Sequence, residues 1–462
     1  MKILWMCNLI LPAVAEALSL PTIPKEGWVK GLYDAIIAGK KDGTDIPEIC
    51  FAFPVSSELL KANGVSKEPG VITGCVKGAD GEDIEYYGFY EDTSREYLYD
   101  PALEGEMQYI FDNAKPDLVH VFGTEFPHTL AAAKVWNNPS KVFVGLQGIC
   151  RDYADIYTAH LPGVIVTRHT FRDQLKKDSI FEQKKKYDLR ADNEEAAMKL
   201  IGHVGGRTEF DKNFAAKVNP GAVYHHAGET LRSIFYNDAW NRENSEKYRI
   251  FVSQADYPLK GFHYLLMAAG MLLSEREASG EDIPDLQIYV AGQSIVEYKT
   301  LKQKIKISSY GKFLRELIDR YGLSDRVHIM GRLSAEEMKE QYLLCDTYVC
   351  CSAIENSPNS LGEAMMLQVP IVTAEVGGIG SMFKVGDDGF SYSVDIDDDM
   401  EAVAVKLKNS LTERWTTEKN NPGEVDRRRH NAGFHARENH NPEKNVYEML
   451  EIYRNISKQQ DK

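Results

Sequence analysis

The chain has 462 residues, of which 43% are hydrophobic and 27% are charged, and its formal net charge is −15. This composition is typical of a folded globular protein and excludes a disordered or fibrous chain. The acidic balance argues against a general nucleic-acid-binding protein, which needs a basic surface, so we expect no nucleic-acid partner. At about 150 residues per domain, the length predicts two large domains or three smaller ones.

The cysteines and the N-terminal segment indicate where the protein works. There are seven cysteines, scattered and without a C-x-x-C pair, which is typical of a reducing compartment rather than of a disulfide framework or a zinc site. Asn8 and Pro12 interrupt the first apolar stretch, so we interpret residues 2–7 as a buried strand rather than as part of a signal peptide. We therefore predict a cytoplasmic protein, located either in the cytosol or at the cytoplasmic face of the membrane.

Short apolar runs alternate with helix-like stretches along most of the chain. The predicted strands are residues 2–7, 48–53, 118–122, 142–146, 163–167, 202–204, 249–252, 287–291, 327–330, 347–351 and 371–374. Runs of Val, Ile and Leu separated by helices are typical of parallel sheets that are covered on both faces. We therefore predict an α/β fold with two Rossmann-like, doubly wound parallel-sheet domains that face a central cleft, where ligands bind.

A polar, Asn-rich stretch at residues 234–247 interrupts this alternation and predicts a domain boundary. We place the first domain at residues 1–235, the second at 236–440 and a C-terminal helix at 441–462. In that last segment, apolar side chains recur at helical spacing, which predicts a helix that packs back on the first domain.

Two charged segments have more than one interpretation. Residues 168–190 hold eight Lys and Arg against four Asp and Glu. They form either a solvated helix face or a surface attracted to an anionic membrane or a phosphorylated acceptor. Asp395 and Asp397 form a D-x-D, but they lie in an acidic run before a polar helix, so we interpret them as a helix cap and predict no metal site.

The strongest functional signal is the stretch of residues 346–383, which predicts a strand, a loop, a helix from about Ser360 and a second strand before a Gly-rich turn. Asn359 and Ser360 are good N-cap residues, and the free N–H groups and positive dipole of a helix start suit a diphosphate. Glu355 and Glu363 flank this start with seven residues between them. Because carboxylates accept hydrogen bonds from hydroxyls and repel phosphates, the pattern favours a sugar nucleotide over free phosphate.

This stretch is similar to the E-x7-E signature of retaining glycosyltransferase family four, whose members have a GT-B fold. Other segments resemble the family in the expected order: 258–261, 286–292, 327–333, 376–380 and 386–390. The likeness is good over residues 249–390 and looser in the first half, at residues 117–123 and 203–212.

The resemblance implies roles for individual residues of the second half. Lys260 would neutralise the donor diphosphate, Glu355 would hold hydroxyls of the transferred sugar, and Glu363 would hold the ribose diol, which makes these three the catalytic candidates. Further donor-binding candidates are Gly261, Gly292, Arg332 and the backbone around Asn359, Ser360 and Leu361.

The chain also departs from the family pattern. The family commonly has Gly-Arg ahead of the lysine, where this chain has Ser253-Gln254, so Arg332 is the candidate substitute for the missing phosphate-binding arginine. In the first half, the family often has a His where this chain has Gln147. The candidates for the acceptor side are Trp28, His128, Gln147 and Arg207.

The resemblance implies an enzyme that moves a sugar from a nucleoside diphosphate sugar to a glycan or lipid-linked acceptor with retention, in polysaccharide or glycan biosynthesis. The nucleotide sugar is a substrate, so we expect no cofactor. Besides its two substrates, the nucleotide sugar and the acceptor, we expect the protein to associate peripherally with a membrane. Two alternatives stay open: a sugar-nucleotide hydrolase or epimerase, and a catalytically degenerate subunit that binds sugar nucleotides.

Overall fold

The computed structural model of the chain describes residues 1–20, 27–41, 46–79, 81–280, 285–293, 295–296 and 300–458. The described chain divides into two compact units. Unit 1 contains residues 1–151, 187–232 and 440–462, and unit 2 contains residues 152–186 and 233–439.

The strands of unit 1 are β1 (Lys2–Met6), β2 (Glu48–Val55), β3 (Val71–Lys77), β4 (Asp83–Tyr90), β5 (Leu118–Phe122), β6 (Val142–Gly145), β7 (His203–Gly206) and β8 (Val223–His226). The strands of unit 2 are β9 (Glu246–Val252), β10 (Gln287–Ala291), β11 (Val327–Gly331), β12 (Cys345–Cys350), β13 (Ile371–Glu375) and β14 (Phe390–Ser393).

The α-helices are α1 (Pro12–Ala17), α2 (Gly27–Lys41), α3 (Ser57–Ala62), α4 (Leu103–Ala114), α5 (Pro127–Trp136), α6 (Cys150–Ile156), α7 (Gly163–Val166), α8 (Phe171–Lys176), α9 (Ile180–Met198), α10 (Glu209–Val218), α11 (Phe262–Ser279), α12 (Leu301–Lys306), α13 (Ser309–Arg320), α14 (Ala335–Leu344), α15 (Asn359–Met366), α16 (Ile379–Met382), α17 (Met400–Asn420), α18 (Pro422–Asn439) and α19 (Pro442–Lys458).

The sheet of unit 1 has the strand order β3-β4-β2-β1-β5-β6-β7-β8. Its strands are parallel except β3, which pairs antiparallel with β4 at one edge, whereas the sequence predicted parallel strands alone. The central strand β1 sends Leu4 and Met6 into one hydrophobic core and Ile3 and Trp5 into the other. Because both faces are buried, the strand has no polar alternation, as expected for a sheet covered by helices on both sides.

The C-terminal helix α19 belongs to the core of unit 1, as predicted. Met449, Leu450, Ile452 and Tyr453 pack in the same cluster as Trp5. The Tyr453 hydroxyl lies 2.6 Å from Nδ1 of the buried His120 on β5, which fixes the helix against the centre of the sheet.

The sheet of unit 2 has the order β11-β10-β9-β12-β13-β14, and all its strand pairs are parallel. The carboxyl ends of its strands therefore meet at one edge, where open α/β sheets bind ligands. Strands β9 and β12 are neighbours in this order, although almost 100 residues of chain separate them.

Two sequence-based expectations differ from the structure. Residues 163–167, predicted as a strand, contain the one-turn helix α7, which starts after Pro162 and buries only Ile165 and Val166. A short apolar run does not distinguish a strand from a buried helical turn. Residues 152–186 group with unit 2 rather than with the first domain, because contacts such as the hydrogen bond from Thr170 Oγ1 to the Ile307 carbonyl (2.8 Å) join them to it.

Candidate functional site

An ion pair lies at the carboxyl edge of the unit 2 sheet, where β9 and β12 end side by side. Lys260 follows β9 in the short turn Pro258–Lys260, and Glu355 lies in the loop after β12. Lys260 Nζ is 2.6 Å from Glu355 Oε1, and the two side chains are 19% and 10% exposed. The Ser352 hydroxyl donates to the same carboxylate oxygen at 2.7 Å. The structure thus brings two of the three predicted catalytic residues into direct contact.

Close backbone contacts force this arrangement. Gly261 has a φ of +66°, and a Cβ at this position would lie only 1.8 Å from the Cys351 carbonyl oxygen. The Ala353 amide donates to the Leu259 carbonyl at 2.7 Å, which joins the two loops directly. Only glycine fits at position 261, so the loop that carries Lys260 is held against the loop that carries Glu355.

A second glycine holds the other side of the Glu355 loop. Gly377, just after β13, has a φ of +53°, and a Cβ there would lie 2.0 Å from the Glu355 carbonyl oxygen. The Gly378 amide donates to that same carbonyl at 2.9 Å. Glu355 is therefore positioned by both neighbouring strand ends.

The electrostatics keep Lys260 charged. Burial alone would lower the pKa of its ammonium group, but the Glu355 carboxylate and the Tyr257 hydroxyl raise this pKa well above its ordinary value. Burial in turn raises the pKa of Tyr257. A compact positive charge is thus held next to a carboxylate, which is an arrangement able to meet an anionic group and a hydroxyl at once.

Helix α15 begins beside this loop, but its start differs from the prediction. Pro358 occupies the N-cap position and no side chain caps the helix, so Asn359 and Ser360 are its first residues rather than caps. The Ser360 hydroxyl instead accepts a hydrogen bond from the Tyr348 hydroxyl at 3.0 Å. The Leu361 amide donates to the Pro358 carbonyl at 3.0 Å, so it is engaged within the helix start.

Glu363 lies in the second turn of α15, and it is buried. The hydroxyl of Tyr342 is 2.9 Å from the Ser360 carbonyl oxygen and 3.4 Å from Glu363 Oε2. Tyr342 therefore ties the third predicted catalytic residue to the start of the helix.

The remaining donor-side candidates follow β10 and β11. Gly292 has a φ of +110°, and a Cβ there would lie 3.1 Å from Asp256 Oδ1. Arg332 comes directly after the edge strand β11, is exposed and forms no ion pair with any residue that the structure describes. At the position of the family's Gly-Arg, Ser253 Oγ lies 3.1 Å from the Tyr348 hydroxyl, so neutral groups occupy this place.

In unit 1, two acceptor-side candidates line one pocket at the ends of β6 and β7. The pocket is open to solvent and is lined by Gln147 and Arg207 together with Glu229. Arg207 Nη2 lies 2.7 Å from Glu229 Oε2 and 3.4 Å from Gln147 Oε1. Apolar side chains, among them Met449, complete the wall.

Of the other two acceptor-side candidates, His128 does not join this group. His128 has no exposed surface, and its Nδ1 lies 3.0 Å from Glu91 Oε2 while its ring stacks on Phe126. It is placed as a core histidine that holds Glu91. The side chain of Trp28 lies outside the described part of the chain.

Sequence reasoning missed two carboxylates of unit 1. Glu229 follows β8 in an Ala-Gly-Glu-Thr stretch, which carries no recognisable signal. Glu194 is fully buried in α9, where it accepts hydrogen bonds from Thr124 Oγ1 (2.5 Å) and the Cys150 amide (2.8 Å). Burial and the nearby Glu125 raise the pKa of Glu194 to about 8, against the lowering effect of the Thr124 hydrogen bond.

The acidic run around the D-x-D lies at a helix start. Asp395 and Asp398 both accept hydrogen bonds from Lys406 Nζ, at 2.6 and 2.7 Å. The Asp399 side chain caps α17 by accepting from the Ala402 amide at 2.8 Å.

None of the helices in the described ranges has both the length and the apolar character needed to cross a bilayer.

Residues 236–424 match the family model described as "Glycosyl transferases group 1". No curated protein matches the chain. The matched region lies within unit 2 and contains the Lys260–Glu355 pair.

Solved structures of low sequence identity share the fold along the whole chain. Sucrose-phosphate synthase from Thermosynechococcus elongatus aligns with a TM-score of 0.63 at 12% identity, covering 99% of both chains. A glycosyltransferase from Rickettsia africae aligns with a TM-score of 0.57 at 14% identity, covering 99% of both chains. Anabaena HepE, solved in complex with UDP and glucose, aligns with a TM-score of 0.57 at 14% identity, covering 98% of this chain and 100% of HepE.

The predicted fold class is confirmed by these alignments and by the two parallel-sheet units. Together with the family match over residues 236–424, they support the GT-B fold that the sequence predicted.

Proposed function

We propose that this protein transfers a sugar from a nucleoside diphosphate sugar to a glycan or lipid-linked acceptor with retention of anomeric configuration, in glycan biosynthesis. The observation that carries the proposal is the contact of 2.6 Å between Lys260 and Glu355 beside the start of α15. A fixed cation next to a helix N-terminus suits a diphosphate, and the adjacent carboxylate suits sugar hydroxyls.

In this proposal, Lys260 exchanges part of its contact with Glu355 for the diphosphate when the donor binds. Because the ammonium group remains charged, it stabilises the negative charge that develops on the departing diphosphate. The released carboxylate oxygen of Glu355 then accepts a hydrogen bond from a hydroxyl of the transferred sugar. Glu363 holds the ribose diol, and Gly261 and Gly292 belong to the donor side.

The reaction needs no protein nucleophile. The acceptor oxygen attacks the anomeric carbon on the face that the diphosphate leaves, so that a C–O bond to the acceptor forms as the C–O bond to phosphate breaks. The acceptor proton passes to the leaving phosphate oxygen. The HepE complex with UDP and glucose supports a nucleoside diphosphate sugar as the donor class.

The pocket of unit 1 supports an acceptor with hydroxyl groups. Arg207 and Glu229 neutralise each other at 2.7 Å, so together they offer both donors and acceptors without a net charge. Apolar wall residues such as Met449 suit the face of a sugar ring. We therefore assign Gln147 and Arg207 to the acceptor side, together with Glu229.

The test is turnover with a panel of UDP-, GDP-, ADP- and TDP-sugars and mixed glycan acceptors, with the product anomer read by NMR. The proposal predicts release of nucleoside diphosphate that depends on the acceptor, and a product with the donor's anomeric configuration. An inverted product contradicts retention, and release without an acceptor at the full rate indicates a hydrolase or epimerase.

A second candidate is a subunit that binds sugar nucleotides without turning them over. The neutral Ser253 and Gln254 favour it, because they stand where the family commonly has a phosphate-binding arginine. Donor binding in calorimetry with no product from any acceptor pool supports this candidate over the enzyme.

A further inference from the structure

Helices α8 and α12 of unit 2 present large apolar side chains to solvent. Phe171 and Leu175 on α8 are 61% and 71% exposed, and Leu301 and Ile305 on α12 are 75% and 46% exposed. Each pair is spaced four residues apart, so it lies on one face of its helix. The two helices pack against each other, which brings the four side chains to neighbouring faces.

This region is rigidly anchored. Asp173, on the inner side of α8, is fully buried and accepts hydrogen bonds from the Thr170 amide (3.0 Å) and the Ser309 amide (2.9 Å). Thr170 Oγ1 donates to the Ile307 carbonyl at 2.8 Å. Because these bonds join α8 to the chain that follows α12, the exposed faces keep a fixed orientation.

Lysines surround the apolar side chains. Lys176, Lys177, Lys302 and Lys306 are exposed and form no ion pair with any residue in the described ranges. Helix α12 contains no acidic residue at all. We call the eight residues Phe171, Leu175, Lys176, Lys177, Leu301, Lys302, Ile305 and Lys306 the α8–α12 surface. It is a basic surface on a chain whose net charge is −15.

The combination identifies the class of partner. Lysine is depleted at the core of protein–protein interfaces, which instead favour aromatic residues and arginine. A nucleic-acid partner is disfavoured because the chain as a whole carries a net charge of −15. Exposed aliphatic and aromatic side chains flanked by lysines are typical of segments that lie in the headgroup region of anionic membranes.

We propose that the α8–α12 surface binds the anionic leaflet of a lipid bilayer. Phe171, Leu175, Leu301 and Ile305 enter the boundary between headgroups and acyl chains, while the lysines contact lipid phosphates. This binding does not depend on the sugar chemistry, but it deepens the proposed function because it brings the enzyme to lipid-linked acceptors at a membrane.

The test is co-sedimentation of the full chain with vesicles of phosphatidylcholine alone and of phosphatidylcholine with roughly a third phosphatidylglycerol. The wild-type chain is expected to bind the anionic vesicles, less tightly in high salt, and to bind neutral vesicles weakly. The double variants F171S/L175S and K176E/K177E should each lose at least about tenfold in affinity. As matched controls, I396S/F434S removes two apolar residues that are 83% and 63% exposed on other elements, and K419E reverses the charge of an exposed lysine on α17; both should bind like wild type.

Three results overturn the proposal. The wild-type chain does not bind anionic vesicles, or the variants of the α8–α12 surface bind them as well as wild type. In the third, light scattering shows that wild type is a dimer and that these variants are monomers. Melting temperatures equal to wild type check that the variants fold. A separate thermal-shift experiment with nucleoside diphosphates tests the proposed function. If the chain binds vesicles but no nucleoside diphosphate, the result contradicts the proposed function and leaves the membrane proposal standing.

Discussion

Glu355 in unit 2 and Glu194 in unit 1 are both buried carboxylates, but their surroundings treat the charge differently. In unit 2, Glu355 faces the Lys260 ammonium at 2.6 Å. In unit 1, Glu194 accepts hydrogen bonds from the neutral Thr124 hydroxyl and Cys150 amide, and its pKa is raised to about 8. A charged pair can exchange partners with an ionic ligand, whereas a carboxyl group that stays protonated near neutral pH ties loops together. We infer that the first arrangement serves binding and the second serves scaffolding.

The largest expected effect comes from removing the cation of unit 2. Lys260→Ala should lower kcat by about 10²–10³-fold, because the departing diphosphate loses its fixed positive charge. The variant also leaves Glu355 without its partner, so its melting temperature should fall. Lys419→Ala, which changes an exposed lysine near the end of α17, is the matched control. A near-wild-type kcat in Lys260→Ala contradicts the role given to this edge.

The contact between the β9 and β12 loops can be tested with two glycines that flank α11. Gly261 and Gly280 have nearly the same φ, +66° and +68°, but a Cβ at 261 would lie 1.8 Å from the Cys351 carbonyl, while a Cβ at 280 meets open space. Gly280→Ala should lower the unfolding free energy by about 1–2 kcal/mol through backbone strain alone. Gly261→Ala should lower the unfolding free energy by clearly more than this. It should also reduce turnover, because the substitution shifts Lys260.

Thermal and urea unfolding of the two glycine variants, together with their kcat, measure this difference. Equal destabilisation by both substitutions, with unchanged turnover, shows that the contact does not position Lys260.

In unit 1, the Arg207–Glu229 pair should affect the acceptor and not the donor. The double variant Arg207→Met/Glu229→Gln removes both charges of the 2.7 Å pair, so neither is left buried alone. We expect the acceptor KM to rise by about 10–100-fold, the effect of losing one or two hydrogen bonds to a buried charged group, with the donor KM unchanged. Lys212→Met, on the exposed side of α10, is the control, since its side chain is 52% exposed. A rise in the donor KM alone would show that the Arg207–Glu229 pair contacts the donor, which contradicts its assignment to the acceptor side.

A further prediction concerns Glu194 and appears only as a pH dependence. Its pKa is about 8 in the fold against an ordinary 4.5, so between these values the folded chain holds a proton that the unfolded chain has lost. Stability therefore falls as pH rises from 5 to 8, by at most about 1.4 kcal/mol per pH unit for one group. Glu194→Gln should reduce that slope in unfolding experiments at pH 5, 6, 7 and 8, while Glu106, whose pKa burial also raises to about 8, keeps its own contribution.

The control for this slope is Glu424→Gln. Hydrogen bonds from Arg427 and Arg428 lower the pKa of Glu424 to about 2, so its stabilisation is lost only as pH falls well below 5. This substitution should leave the slope between pH 5 and 8 unchanged. A Glu194→Gln slope equal to that of wild type contradicts the protonated state assigned to Glu194.

The sequence predicted most of the parallel strands, for a physical reason. Buried parallel strands are continuous apolar runs, which can be recognised without knowledge of the fold. Weakly apolar strands were missed, such as β3 and β4 at the sheet edge and β8, whose exposed residues dilute the pattern.

Features that depend on tertiary contacts between residues far apart in the sequence were not predictable. Pro358, rather than Asn359, occupies the N-cap of α15, because the cap depends on the path of the incoming loop. The grouping of residues 152–186 with unit 2 depends on contacts such as His160 Nδ1 to the Tyr264 hydroxyl, 2.6 Å apart but over 100 residues apart in the chain. Likewise, no local pattern indicates that Glu229 meets Arg207.

The most direct measurement is calorimetric titration of the wild-type chain and of Lys260→Ala with UDP, GDP, ADP and TDP. Binding of at least one nucleoside diphosphate by wild type, weakened about tenfold or more in Lys260→Ala, is the predicted result. Equal binding by both proteins, or binding of none of the four nucleotides by wild type, contradicts a diphosphate site built around Lys260.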